Sequence, residues 1–342
     1  MKAVTLRAHG GLDALRLEEL PDPEAAPGRV VVRVKAVALN HLDVWVRQGW
    51  PGLKLSFPHV LGSDIAGVVE AVGPGAEGVA PGDEVVVNPG VSCGRCRACL
   101  SGDDVMCRSY AILGEHVAGG YAERVSVPAQ NVLPRPKNLS FDEAACVPLT
   151  FLTSWHALVA RAQVRPGETV LVHAAGSGVG AAGIQIAKLL GATVLTTAGS
   201  EEKCRRGLEL GADHAIDYAR HDFLAEVRRL TDKRGVDVVF EHVGKATWER
   251  SLLALRRGGR LVTVGATTGY DPPTDLRHVF YRSLSVLGST MGSKGELFDV
   301  MALVEQGRLR PVLDRVLPLA EAPAAQKLLE DRWNFGKIVL SP

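Results

Sequence analysis

The chain carries no excess charge of either sign: 39 Lys and Arg stand against 38 Asp and Glu, a formal net charge of +1. That balance speaks against a protein that grips nucleic acid or a membrane surface electrostatically. No stretch reaches the roughly 18 apolar residues that a spanning helix requires, and residues 1–7 lack an apolar core of signal-peptide length. The expectation is a cytoplasmic protein with a small-molecule substrate. Internal repeats, low-complexity tracts and long linkers are also missing.

Cysteine is scarce, six in 342 residues, and four of the six are crowded together. Cys93, Cys96, Cys99 and Cys107 are spaced C-x2-C-x2-C-x7-C. Four thiolates this close can fill every position around a tetrahedral Zn²⁺, which leaves the ion no open site for chemistry and makes it a staple for a loop. The competing reading, two disulfides, needs an oxidising compartment. Cys146 and Cys204 stand alone and read as small apolar fillers.

What is present fits a globular chain with two cores: 46% hydrophobic, 23% charged, and long enough for two domains. Up to about residue 125, apolar runs such as Val30-Val31-Val32-Arg33-Val34 alternate with Pro-Gly turns, which predicts an all-β unit. From Phe141 the texture changes. Short β-rich runs at 169–174, 193–197, 214–217, 236–240, 260–264 and 284–287 are separated by helical segments, the pattern of a doubly wound parallel sheet. A helix at 296–306 and a strand at 337–340 follow and can return to the first domain. The expected division is 1–135 with 290–342, including a cysteine lobe at 90–110, and 136–289.

The run Val170-Leu171-Val172-His173-Ala174-Ala175 leads into Gly176-Ser177-Gly178-Val179-Gly180 and then a helical stretch. Glycines let the backbone turn sharply against a pyrophosphate, and the following helix aims N–H groups at the anion. A glycine triplet alone is weak; between a strand and a helix, with a second strand about 20 residues on, it predicts a dinucleotide site. The acid that would hold the ribose 2′-hydroxyl of NAD is missing from the end of that second strand. Ser200 stands there, with Lys203 and Arg205 beyond, which favours NADP(H) over NAD(H); Glu201 and Glu202 are near enough to reach a hydroxyl instead.

Several motifs together resemble the medium-chain dehydrogenase/reductase superfamily of zinc-type alcohol dehydrogenases and quinone reductases. They are Pro58-His59-Val60-Leu61-Gly62-Ser63-Asp64-Ile65-Ala66-Gly67, the four cysteines, the glycine turn, Val239-Phe240-Glu241-His242-Val243-Gly244 and Gly336-Lys337-Ile338-Val339. The resemblance implies a GroES-like catalytic domain carrying the structural zinc lobe, a Rossmann domain, and a cleft where nicotinamide meets substrate. It also implies a homodimer or homotetramer joined through the sheets of the nucleotide domains, with the edge run 284–287 available. Zinc alcohol dehydrogenases hold a second, catalytic zinc; here Asn40, Ser63 and Leu149 stand where its ligands are expected, and Leu42 and Trp45 where the proton relay is.

Alcohol oxidation needs an acceptor for the hydroxyl proton, which a bound metal provides near neutral pH. An electron-poor alkene or quinone can take a hydride and collect its proton later. Asn40-His41-Leu42-Asp43 resembles the zinc-independent quinone-reductase branch. By that resemblance Asn40, Asp43 and Thr153 serve catalysis. Val179 and Thr153 pack on the nicotinamide, Ala266 and Thr267 face its carboxamide, and His242 and Val243 lie at the cofactor edge. Lys337 pairs with Asp64 or the pyrophosphate. The expected activity is NAD(P)(H)-dependent hydride transfer to or from a small carbonyl, enone or quinone without a catalytic metal. Two alternatives stand beside it. One is an alcohol dehydrogenase with zinc on His41, His59 and nearby carboxylates. The other is a dinucleotide-binding sensor or structural protein without turnover.

Overall fold

Runs of β-branched residues between turn-forming glycines and prolines fold the beginning of the chain into antiparallel sheet. The computed structural model describes every residue from Met1 to Pro342. Strand Arg29–Ala38 is the hub of the first unit, pairing antiparallel with Asp64–Val72, Arg124–Pro128 and Lys337–Ser341. Around it the sheet order is Val132–Pro134, Glu84–Val87, Asp64–Val72, Arg29–Ala38, Lys337–Ser341 and Leu313–Pro318. Val30, Val32, Val34, Ile65, Tyr121, Ile338 and Leu340 meet in its core. The C-terminal strand thus returns to the first unit, as its lack of any nucleotide motif suggested.

Two expectations about this unit are corrected. It is not all-β: helix His41–Gln48 follows directly on the hub strand. It also extends further than residue 135, since the two units are Met1–Leu149 with Ser293–Pro342, and Thr150–Gly292. The reason is local. Ser140 and Glu143 form a reciprocal cap, with Glu143 N donating to Ser140 Oγ at 3.2 Å and Ser140 N to Glu143 Oε2 at 2.8 Å. The helix so started, Phe141–Ala145, packs on Arg29–Ala38 and Asp64–Val72 and stays with that sheet.

The second unit is a six-stranded parallel sheet. Its strands, labelled here in chain order, are β1 (Thr169–Val172), β2 (Thr193–Ala198), β3 (His214–Asp217), β4 (Val236–Glu241), β5 (Leu255–Thr263) and β6 (Ser285–Gly288). Their spatial order is β3-β2-β1-β4-β5-β6, every pair parallel. Connecting helices cover both faces, which is why Val170, Leu171, Val172 and the whole of β4 are buried rather than alternating. β5 starts five residues before the expected 260, through an irregularity in its pairing with β4. Strand order reverses between β1 and β4. Beyond the carboxyl ends of strands at such a switch point, an open α/β sheet forms its ligand crevice.

Candidate active site

The glycine turn leaves β1 at that switch point. Ala174 has φ 51°, a left-handed conformation that costs a residue with a Cβ about 1–2 kcal/mol. Ser177 then caps helix Gly178–Leu189, its hydroxyl accepting from Gly180 N at 2.8 Å. At Gly180 a Cβ would stand 2.2 Å from the Ala174 carbonyl oxygen, so only glycine lets the helix start this close to the strand. Gly176, Ser177, Gly178, Val179 and Gly180 are therefore one tight cradle at a helix N-terminus, the chemistry a pyrophosphate needs.

The other residues expected at the nucleotide lie around the ends of β2, β4 and β5. Ser200 caps helix Glu201–Glu209, accepting from Lys203 N at 3.3 Å. Arg205 turns away to Glu202 and Glu209 on its own helix. Tyr218, which sequence reasoning missed, lies beside the end of β2, its hydroxyl 2.6 Å from where a Gly199 Cβ would be. His242 directs Nε2 at the His173 carbonyl at 2.8 Å, and Thr267 Oγ1 donates to the His242 carbonyl at 3.2 Å. Thr268 N donates to the Val243 carbonyl at 2.8 Å, so the loop carrying Ala266 and Thr267 lies along Val243. Thr153 is buried on helix Pro148–Trp155 with its hydroxyl 3.9 Å from Met291 Sδ. Its neighbour Ser154 donates to the Val179 carbonyl at 3.1 Å, which brings Thr153 and Val179 to one place.

In the first unit a buried polar cluster forms around Asp64. Lys337 Nζ lies 2.9 Å from Asp64 Oδ2 and 2.5 Å from Asn40 Oδ1. Asn40 Nδ2 donates to Asp64 Oδ2 at 3.0 Å, and Leu149 N donates to Asp64 Oδ1 at 2.7 Å. Asp64, one of the two partners expected for Lys337, is in contact with it. Asn40 presents no free amide, since its nitrogen is committed to Asp64 and its oxygen to Lys337. Ser63 turns to the Leu113 carbonyl at 2.7 Å.

Asp43 sits beneath this cluster, 1% exposed. It accepts from Asn40 N at 2.7 Å, Gly62 N at 3.0 Å and the Tyr121 hydroxyl at 3.2 Å. Burial outweighs these donors and raises its pKa to about 6. With both oxygens occupied, Asp43 fixes the backbone that carries Asn40 to the backbone that precedes Asp64. His59 is buried with Nε2 3.1 Å from the Gly114 carbonyl, and burial lowers its pKa. The structure does not draw His41, His59, Asp43 and Asp64 into one metal-binding set.

The four cysteines do converge. Their sulfurs all lie within 4.8 Å of one another, with Cys96 and Cys99 at 3.5 Å and Cys93 and Cys99 at 3.9 Å. A tetrahedral Zn²⁺ with Zn–S near 2.3 Å needs sulfurs about 3.8 Å apart. The backbone N–H groups of Arg95 and Cys96, together with Cys107, bring the Cys93 thiol down to about 6, towards the thiolate that ligates metal. The donor set fits zinc.

Comparison with known proteins accords with this geometry. Residues 26–137 match the alcohol dehydrogenase GroES-like domain, and residues 178–306 match the zinc-binding dehydrogenase family. The chain is 34% identical over 354 residues to a NAD-dependent alcohol dehydrogenase of Saccharolobus solfataricus, covering 100% of both chains. It is 30% identical over 347 residues to an acryloyl-coenzyme A reductase of Sulfurisphaera tokodaii, again covering 100% of both. A solved structure of a NAD-dependent alcohol dehydrogenase superposes with a TM-score of 0.97 at 56% identity, covering 100% of each chain. With both domain families matched in order and relatives aligned end to end, the chain belongs to the zinc-type alcohol dehydrogenase and quinone oxidoreductase superfamily of medium-chain dehydrogenases/reductases.

Proposed function

We propose that the protein is an NAD(P)(H)-dependent oxidoreductase that moves a hydride to or from a small carbonyl, enone or quinone, with zinc confined to the cysteine lobe. The observation that carries this reading is the glycine-cradled switch point of the second unit; in the first unit Asn40, at a position where zinc dehydrogenases keep a metal ligand, is instead held by Lys337 and Asp64. Bound reduced nicotinamide supplies the hydride, and the substrate oxygen that gains the electron pair takes a proton from water. Gly176–Gly180, Val243, Ala266 and Thr267 hold the dinucleotide, while Thr153 and Val179 set the nicotinamide ring. Asn40 and Asp64 hold the Lys337 ammonium in place, and a fixed positive charge of that kind favours an oxygen that becomes negative. Asp43 keeps that cluster assembled.

For the cofactor, Ser200, Lys203 and the Tyr218 hydroxyl at the end of β2 favour a 2′-phosphate, and no acid occupies the strand end itself. The chain's relatives include enzymes named both for NAD-dependent alcohol oxidation and for reduction of an acryloyl thioester, so reduction of an activated alkene is within the family's range. No helix is long and apolar enough to cross a membrane.

Zinc content and turnover test the reading together. Elemental analysis is expected to find one zinc per chain. NADPH oxidation by a panel of enones and quinones is expected to survive mild chelation, with NADPH preferred to NADH. Two zincs, or alcohol oxidation lost when His59 becomes Ala, would instead point to a second metal centre. NADPH binding without turnover on any acceptor would favour the non-catalytic alternative.

A further inference from the structure

Beneath the dinucleotide loops of the second unit lies a line of polar side chains that hydride chemistry does not require. Glu241, at the end of β4, is fully buried, and so are His173 and Ser251. Glu241 Oε2 accepts from Ser251 Oγ at 2.7 Å, and Thr247 Oγ1 lies 2.9 Å from the same oxygen. Glu241 Oε1 accepts from Val243 N at 2.7 Å and Gly244 N at 3.1 Å. Ser251 Oγ is also 2.9 Å from His173 Nε2, and His173 Nδ1 is 3.1 Å from Thr197 Oγ1. Thr197 Oγ1 in turn accepts from Ala174 N at 3.1 Å, the left-handed residue that opens the glycine turn.

The donors and acceptors fix the direction of this line. A carboxylate only accepts, so the Ser251 hydroxyl hydrogen points to Glu241 and Ser251 must accept from His173. His173 therefore carries its proton on Nε2, and its bare Nδ1 accepts from Thr197. The line runs Ala174 N–H, Thr197 O–H, His173 Nε2–H, Ser251 O–H, Glu241. Charge states agree with it: burial keeps His173 below the ordinary histidine range. Burial opposes charge on Glu241, while the Ser251 hydroxyl and the Gly244 and Val243 N–H groups that donate to it favour the carboxylate.

We propose that Glu241, acting through Ser251 and His173, is a positioning residue for the dinucleotide, a polarised hydrogen-bond line that ties the glycine turn after β1 to the Val243–Gly244 turn after β4. A buried acid at the end of an apolar strand is otherwise a cost without return. Here its four donors come from the loop that follows β4 and the helix after it, and the line continues through Ser251 and His173 to the ends of β1 and β2. This inference rests on reading the glycine turn as the dinucleotide site, and the experiment separates the two.

The full chain labelled with ¹⁵N-histidine, with His173 assigned by loss of its signals in His173→Gln, reports the tautomer directly. The wild type is expected to show protonated Nε2 and bare Nδ1. In Glu241→Gln the amide oxygen takes the backbone N–H groups and the amide nitrogen donates to Ser251, so the line reverses and His173 moves to the Nδ1–H form. In that variant the KM for NADPH is expected to rise about tenfold, more than kcat falls. Should Glu241→Gln fail to fold, Thr197→Val removes the link to Ala174 with little change of shape, and a several-fold rise in the NADPH dissociation constant is expected. A wild-type His173 in the Nδ1–H form, or variants with unchanged tautomer and unchanged cofactor affinity, would overturn the proposal. If the wild type shows the expected tautomer yet binds neither NADPH nor NADH, the dinucleotide reading fails and the cofactor role of Glu241 fails with it.

Discussion

Asp43 behaves against the habit of carboxylates, because it is buried without a cation of its own in direct contact. Below about pH 3.8 both folded and unfolded chains hold the proton. Between there and about 6 the folded chain keeps a proton that the unfolded chain has released, so stability falls as pH rises. Above about 6 a penalty of about 3 kcal/mol is fully in place. Asp43→Asn replaces an acceptor of the Asn40 and Gly62 N–H groups by an amide and removes that titration. Urea unfolding should show the variant less stable, with the wild-type margin about 1–2 kcal/mol larger at pH 5 than at pH 7.5. A margin that grows with pH would place the folded pKa below its ordinary value and reject this account. The sequence marked Asp43 only by resemblance, and nothing in Asn40-His41-Leu42-Asp43 says whether it points at substrate or at backbone.

At the scale of elements, the cysteine lobe is not held by its cysteines alone. Lys294, in the first turn of helix Lys294–Glu305, donates from its backbone to Asp104 Oδ1 at 2.8 Å. Its ammonium reaches Asp104 Oδ2 at 2.9 Å and Ser92 Oγ at 2.7 Å. Asp104 is buried, so Lys294→Met strands its charge, at a cost of about 3 kcal/mol. The expected result is a lower melting temperature and faster zinc release to a chromogenic chelator, with the protein's zinc content when freshly purified unchanged. Release at the wild-type rate would show that the metal alone sets the lobe's stability. Spacing of the four cysteines was legible along the chain because they fall within one loop. The clamp from Lys294 was not, because it comes from 190 residues away.

For the whole molecule, β6 leaves one edge of the parallel sheet unpaired; Val286 is exposed on it, and Leu276, Phe280 and Tyr281 are exposed in the helix that precedes it. An open edge flanked by exposed apolar side chains suits pairing with a second copy. The chain is therefore expected to sediment as a dimer or tetramer, and Val286→Lys, which places a charge on that edge, should shift it towards the monomer without loss of bound zinc. A monomeric wild type would remove this edge from consideration as an interface.

The sequence by itself determined the features that depend on neighbours along the chain. The glycine cradle, the zinc-spaced cysteines, the strands of the parallel sheet and the missing acid after β2 all follow from period and spacing within short segments. Tertiary structure alone decided how far-separated polar groups are spent. Lys337 meets Asn40 and Asp64 across 297 and 273 residues, and Ser251 meets His173 across 78. Residue type states what a side chain can donate or accept. Only the fold, by removing water from around it, decides which partner must take the bond.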